Sequence, residues 1–336
     1  MEPTPTSSCS TPGLGARATE CTDPIAAIRH GHYSARMPSD HRAVVATAAN
    51  SLTVAAVPTP DLAPDLVAVR IAVTGINPVD AHVVAGAFGA DLFPYIAGCE
   101  YGGTVIGVGA GVTGFAIGDR VAGQPKPFMG DPGSWQDVVV VGADKLAHVP
   151  GPLSDEAAGT VPLLSLTALT MVRAAGLSAG QRAVVPGAAG GVGRWLTQLL
   201  LADGVEVTTV TSARDLDAMT AFGATAIDRD DPSAVDGLRD FAAIFDVAGG
   251  DEGAVAVRRT WLAEGARYLS VSVRGEGIEF FMVEWDAAAL ETMLSGVADG
   301  TFAAQTPTLY APEDVAAAIA DFMSRTQART ALDLRS

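Results

Sequence analysis

The sequence predicts an α/β protein in two parts, a β-rich barrel followed by a doubly wound parallel sheet. Three observations carry this reading. From Ala43 onward, short β-branched runs recur at close spacing between Gly and Pro residues. After Pro152 the rhythm changes to strand-like runs alternating with helix-like ones. At the first passage from strand to helix in that second stretch stands a glycine-rich turn, Gly187 to Gly193.

Taken in order, residues 1–36 are rich in Ser, Thr, Pro, Gly and Ala and hold neither period 2 nor period 3.6. They read as a mobile extension, reaching to about residue 41, rather than as a functional lid. Met37 is a second candidate start. The runs AVVATA, LTVAAV, LVAVRIAV, GGTVIGVG, DRVAG and DVVVV then read as barrel strands. Ser154-Asp155-Glu156 opens a helical run, SDEAAGTVPLLSLTALTMVRAAG, as a helix N-terminus with acids at its positive end. The strand RAVVP, the helical WLTQLLL, the strand VEVTTVT, a further helix, the strands ATAID and FAAIFD, a helix over RRTWLAEG and the strand RYLSVSV make the parallel sheet. The last fifty residues carry two helical patterns and two short strands, enough to return and complete the barrel.

Composition narrows the function. The chain has 336 residues, is 49% apolar and 18% charged, and carries a formal net charge of -17. That balance excludes broad electrostatic binding to nucleic acid or to anionic lipid, both of which need basic surface. Cys9, Cys21 and Cys99 are too few for a disulfide framework, which fits a reducing compartment. No apolar run approaches the ~18 residues of a membrane helix and no secretory leader is visible, so a cytoplasmic location is expected.

The turn Gly187-Ala188-Ala189-Gly190-Gly191-Val192-Gly193 lies between a strand and an apolar helix. Glycines there let backbone N–H groups approach a pyrophosphate at a helix N-terminus, where unpaired donors and the helix dipole favour negative charge. Ala188 fills the first position of the strict glycine pattern, so Gly187 or Ala188 must make the tight turn. A phosphate loop of the Walker type is excluded, because no Lys-Ser/Thr follows. The second strand ends in Thr211-Ser212-Ala213-Arg214, with no acid before Asp215 to hold a ribose hydroxyl pair. Ser212 and Arg214 suit the extra phosphate of NADPH; Ser212-x-x-Asp215 is also a helix-capping signature, and the two readings are compatible.

Asn77-Pro78-Val79-Asp80, the run GVGAGVTGFAIGDRVAG from 107 to 123, the AAGGVG turn and EFFMVEWD from 279 to 286 stand in the order found in one large family. From about residue 42 the chain resembles the medium-chain dehydrogenase/reductase superfamily, and within it the zinc-free quinone oxidoreductase branch. The resemblance implies a GroES-like β-barrel catalytic domain, residues 42–163 and 283–336, around a Rossmann NADP-binding domain, residues 164–282. It implies NADPH in the cleft, with Thr167, Val247, Ser270, Val271, Phe281, Met282 and Val283 along it beside the glycine turn. A plain helix threonine is the competing reading of Thr167. It also implies homodimers joined through sheet edges, for which residues 267–273 are the candidate. The implied activity is hydride transfer to a quinone, enone or enal. The alternatives are a dedicated enoyl or iminium reductase of a biosynthetic pathway, and a cofactor-binding member without turnover.

Cys99-Glu100 looks like half of a metal site. Zinc-dependent relatives place their ligands where this chain has Asn77, Cys99 and Leu163, so one of three remains and no zinc is expected. No sequence signal activates Cys99 as a nucleophile, and a buried apolar thiol is its default. Enone reduction needs a donor toward the developing enolate and a proton source. Asn77 is the candidate donor, to a substrate carbonyl or to the nicotinamide ribose, and His82 the candidate relay. A surface histidine that only shapes the cleft is an equal reading of His82, and Asp80 reads as an anchor of the loop.

Overall fold

A computed structural model describes residues 37–324 and 329–335. The sequence reading of residues 1–36 as an extension lies outside them. Strands β1 (Asp40–Ala48) and β2 (Ser51–Pro58) form an antiparallel hairpin turned at Asn50, whose φ is 57°. Pairing begins at Asp40, two residues inside the stretch assigned to the extension. His41 explains the early start: its ring is buried between Thr59 Oγ1 at 2.9 Å and Gln136 Oε1 at 2.7 Å.

The hub of the first part is β3 (Leu66–Gly75), whose alternate Val67, Val69, Ile71 and Val73 are fully buried. After it come α1 (Pro78–Val84), β4 (Tyr95–Ile96), β5 (Tyr101–Val108), β6 (Arg120–Gly123), β7 (Val138–Gly142) and β8 (Ala147–His148). β3 pairs antiparallel with both β5 and β7, β6 and β8 continue from β5, and β4 pairs with β1. The bridge between Ala43 and Gln136 and the bond from Val44 N–H to Trp135 O at 2.8 Å tie the smaller sheet to the larger around buried Trp135 and Tyr101.

The helical run after Pro152 is two helices, α2 (Asp155–Thr160) and α3 (Pro162–Ala175). Ser154 caps the first, accepting from Ala157 N–H at 3.2 Å. Pro162 supplies no N–H, so the backbone ladder is interrupted there and a new helix starts.

The second part runs β9 (Arg182–Pro186), α4 (Gly191–Ala202), β10 (Glu206–Thr211), α5 (Leu216–Ala221), β11 (Thr225–Asp228), α6 (Pro232–Asp236), β12 (Phe241–Asp246), α7 (Glu252–Arg259), β13 (Leu262–Ser270) and β14 (Glu279–Phe280). All neighbours are parallel, in the order β11-β10-β9-β12-β13-β14. Three expectations change here. α6 was not anticipated; Asp231 starts it by accepting from Ser233 and Ala234 N–H. The helix expected over RRTWLAEG ends at Arg259, because Trp261 turns inward and Leu262 begins β13. Residues 267–273 are not the free sheet edge: β14 pairs with Leu269 and Ser270.

The chain then passes through α8 (Ala287–Ala298), β15 (Thr308–Tyr310), α9 (Val315–Ser324) and β16 (Thr330–Asp333). β16 pairs antiparallel with β3, so the end of the chain joins the sheet where the first part began.

Candidate functional site

β9 and β12 are neighbours although β10 lies on the other side of β9, so the strand order reverses between them. A crevice at such a reversal, at the carboxyl ends of the strands, is where open parallel sheets take ligands. The glycine turn stands there. Gly187 makes the tight turn, with φ of 80°, and a Cβ on it would meet the Ala248 backbone at 2.8 Å. A Cβ on Gly193 would lie 2.5 Å from Gly187 O, so α4 can rest against the turn only as glycine. Gly190 is the N-cap of α4, and a Cβ on it would meet nothing closer than Gly187 O at 3.3 Å. The first N–H groups of α4 have no partner within the helix, and α4 starts at this turn. A dinucleotide pyrophosphate fits such a cradle.

Several expected cofactor residues are linked across the same edge. Val247 N–H bonds Pro186 O at 3.2 Å, Ser270 Oγ donates to Asp246 O at 2.8 Å, and Phe281 N–H bonds Ser270 O at 2.8 Å. Val271 is half-buried, Val283 buried and Met282 exposed. Behind Val247, the fully buried Asp246 accepts from Arg258 Nη1 at 2.7 Å and Tyr268 Oη at 2.6 Å, with Ala248 N–H on its other oxygen. This clamp fixes the loop against which Gly187 packs. The sequence did not point to it, since its members come from three elements.

At the end of β10, Ser212 Oγ donates to Asp215 Oδ2 at 2.6 Å and the exposed Arg214 places Nε 3.4 Å from the same oxygen. The pair therefore meets side chain to side chain; Ser212 makes no side-chain cap bond. Thr167 Oγ1 donates to Leu163 O at 2.6 Å within α3, the bond of an ordinary helical threonine.

The loop at Asn77 differs most from expectation. Asn77 is 1% exposed, its Nδ2 donates to Glu100 Oε1 at 2.8 Å, and its Oδ1 accepts from Arg329 Nη1 at 3.2 Å. The amide expected to reach a substrate is thus committed to a buried ion pair between Glu100 and Arg329. Arg329 Nη1 also donates to Ile76 O at 2.6 Å, and Glu100 Oε2 accepts from Leu163 N–H at 3.0 Å, anchoring the start of α3. Asp80 takes the Asn77 N–H at 2.9 Å, the anchoring expected of it. Burial pushes the Asp80 carboxyl up to about 7 and raises the neighbouring Cys99 thiol well above its ordinary value. His82 stands apart, exposed on α1 between buried Ala81 and Val83. Of the three positions where zinc-dependent relatives place ligands, only Cys99 carries a metal-binding side chain. The adjacent carboxylate of Glu100 is held by Arg329. Among the described residues no three His, Cys, Asp or Glu side chains gather as a metal site.

Arg329 was missed because no local pattern marks it; it stands 229 residues from Glu100 in the chain. It lines a crevice of about 10 Å³ under the turn with Gly191, Arg194, Leu164 and Gln305. The Nε groups of Arg194 and Arg329 are both buried without a partner. A larger hollow of about 360 Å³ lies on the barrel, walled by Pro58, Pro94, Pro127, Pro132 and Tyr95, away from the glycine turn.

Residues 63–151 match the family described as alcohol dehydrogenase GroES-like domain. A 2-methylene-furan-3-one reductase of Solanum lycopersicum is 32% identical over 211 residues, covering 59% of this chain and 53% of that protein. Dehydrogenase azaJ of Aspergillus niger is 30% identical over 229 residues, 61% of this chain and 64% of that protein. Polyketide synthase GfsB of Streptomyces halstedii is 37% identical over 158 residues, 46% of this chain but 3% of that protein. The match thus spans less than two thirds of each of these relatives' own length. A quinone oxidoreductase structure from Coxiella burnetii superposes with TM-score 0.77 at 20% identity, covering 88% of this chain and 100% of that one. A cobalt- and zinc-bound alcohol dehydrogenase from Pyrobaculum aerophilum follows at 0.75 and 23%, over 88% of this chain and 99% of that one. These two superpositions establish the fold alone.

Proposed function

We propose, for a chain with the medium-chain dehydrogenase/reductase fold and an alcohol dehydrogenase GroES-like domain, that it is an NADPH-dependent reductase of quinones or α,β-unsaturated carbonyl compounds that works without a metal. The observation that carries this reading is the glycine turn at the strand-order reversal, with a Cβ excluded at Gly187 and Gly193. NADPH when bound supplies the hydride. Gly187 to Gly193 hold its pyrophosphate, Ser212 and Arg214 the extra phosphate, and Val247, Ser270, Val271 and Phe281 line its path. The donor set supports the metal-free reading: Asn77 and Leu163 stand at two of the three ligand positions, and Glu100 answers Arg329.

The protein's remaining task is to orient the acceptor and deliver one proton, to the carbon next to the carbonyl of an enone or enal or to the oxygen of a quinone. Asn77 acts by positioning, since its side chain holds the Glu100 pair. His82 is exposed to solvent on α1, where an imidazole could pass a proton between solvent and the cleft. Thr167 Oγ1 donates to Leu163 O, so while that bond stands it can offer a nicotinamide only its acceptor lone pairs. The homodimer expected for this fold is retained as part of the proposal, with the short β14 at the sheet edge.

A second reading, a dedicated enoyl reductase of a biosynthetic pathway, is favoured by the 37% identity to a segment of a polyketide synthase. A panel of quinones, enones, enals and enoyl thioesters with NADPH, followed by cofactor absorbance, separates the two by which acceptor turns over fastest. In the same assay His82→Phe is expected to lower kcat about tenfold or more with a changed pH profile. An unchanged rate at every pH removes the relay. Turnover of no acceptor rejects both readings.

A further inference from the structure

We infer that Asp215 sets the balance between NADPH and NADH, because its own carboxylate occupies the donors that a ribose 2′-phosphate would use. This rests on the cofactor site proposed above and sharpens its selectivity. β10 delivers Ser212 to the carboxyl edge of the sheet, one strand from the glycine turn, where Gly187 N–H bonds Val210 O at 2.9 Å. There a single oxygen, Asp215 Oδ2, takes both the Ser212 hydroxyl at 2.6 Å and the Arg214 Nε at 3.4 Å. A second guanidinium approaches from α4. Arg194 follows directly on Gly193, lies over the Phe222 ring at 5.0 Å, and keeps its buried Nε without a partner. Burial works against the charge of Arg194 and holds it below the ordinary arginine range, and the Asp215 carboxylate offsets this only in part. Just past the end of β11, Arg229 N–H bonds Thr211 O at 2.7 Å, while its guanidinium faces Asp230 at 3.6 Å.

A carboxylate and a phosphate both ask for hydroxyl and guanidinium donors, and two anions cannot share one hydroxyl proton without strong repulsion. Asp215 is the N-cap of α5, yet its side chain makes no capping bond. The helix does not need the carboxylate there, whereas Ser212 and Arg214 are held by it. NADPH must therefore displace Asp215 from Ser212 and Arg214. NADH carries a ribose hydroxyl that can donate to the carboxylate instead. The selectivity that Ser212 and Arg214 would give alone is narrowed by the acid that follows them.

The test is the pair of dissociation constants for NADPH and NADH, measured by calorimetry on the full chain and on Asp215→Asn. Removing the charge is expected to tighten NADPH about threefold to tenfold, the scale of a partly exposed charge contact, and to leave NADH unchanged or weaker. Asp215→Glu keeps the charge and should keep the wild-type ratio. Asp215→Ser reports the same ratio as the amide variant should the amide disturb the turn. A merely structural role would move both cofactors together, and equal shifts, or none, overturn the inference. Wild type that binds only NADH, with NADPH binding gained in Asp215→Asn, rejects the proposed NADPH preference while supporting the role of Asp215. Wild type that binds neither cofactor rejects the cofactor site and this inference with it.

Discussion

Glu100 follows Cys99 in the chain, and the two together suggest metal chemistry, but the partners of Glu100 show a different task. It is fully buried, Arg329 is 3% exposed, and the pair is closed by Asn77, Ile76 O and Leu163 N–H. Burying two charges costs several kcal/mol each, and the cost is met only while both are present and hydrogen-bonded. Glu100→Gln leaves Arg329 as an uncompensated buried cation and is expected to lower stability by about 3–5 kcal/mol. Replacing both by Met should cost less than the two single losses combined, because the buried charge goes with its partner. Urea unfolding midpoints of the three variants check this, and a Glu100→Gln midpoint equal to wild type would show that the pair holds nothing. None of this was legible in the sequence. Asn77 was singled out for a catalytic task because its neighbours in the chain form a recognisable loop, while the residues that fix its amide, Glu100 and Arg329, stand just before β5 and just before the last strand.

The glycine turn was legible because its constraint is local. A strand, a glycine-rich stretch and an apolar helix specify a backbone that approaches its ligand closely, whatever the rest of the fold does. The structure divides the glycines by role. Gly187 has φ of 80° and no room for a Cβ against Ala248, whereas Gly190 has φ of -70° and only Gly187 O nearby at 3.3 Å. Gly187→Ala is therefore expected to destabilise the protein by about 1–3 kcal/mol through strain and overpacking. Gly190→Ala should keep stability within about 1 kcal/mol and yet weaken cofactor binding about tenfold or more, since the new methyl group stands where the pyrophosphate approaches. Thermal melts and cofactor titrations of the two variants separate these effects, and an undisturbed titration for Gly190→Ala would move the pyrophosphate elsewhere. Elements that depended on distant partners were less legible. α7 and β13 were displaced because Trp261 reads as helical by spacing but is drawn into the sheet core, and the free edge at 267–273 was covered by two residues of β14. The break at Pro162 and the cap at Asp231 are local signals, yet the division of one helical run at the first and the short α6 at the second were both missed.

At the scale of the whole molecule, the proposed cofactor and the protein repel each other. The chain has 38 Asp and Glu against 21 Lys and Arg, while dinucleotides are anionic. The attraction is confined to a few donors: the N–H groups of α4, Arg194, Ser212 and Arg214. The long-range and short-range terms respond differently to salt. The Debye length falls from ~30 Å at 0.01 M to ~10 Å at 0.1 M, which removes the field of distant carboxylates before it weakens contacts at hydrogen-bond distance. Raising salt across that range is therefore expected to speed NADPH association by about twofold, the opposite of the slowing seen where a ligand is steered by charge of opposite sign. Dissociation should quicken less, because the arginine contacts lie within the first few ångströms. Stopped-flow mixing on the full chain measures both rates. A slowing of association with salt would mean that the arginines around the turn outweigh the net charge as seen from the cleft mouth, and that the approach of the cofactor is governed by the local field alone.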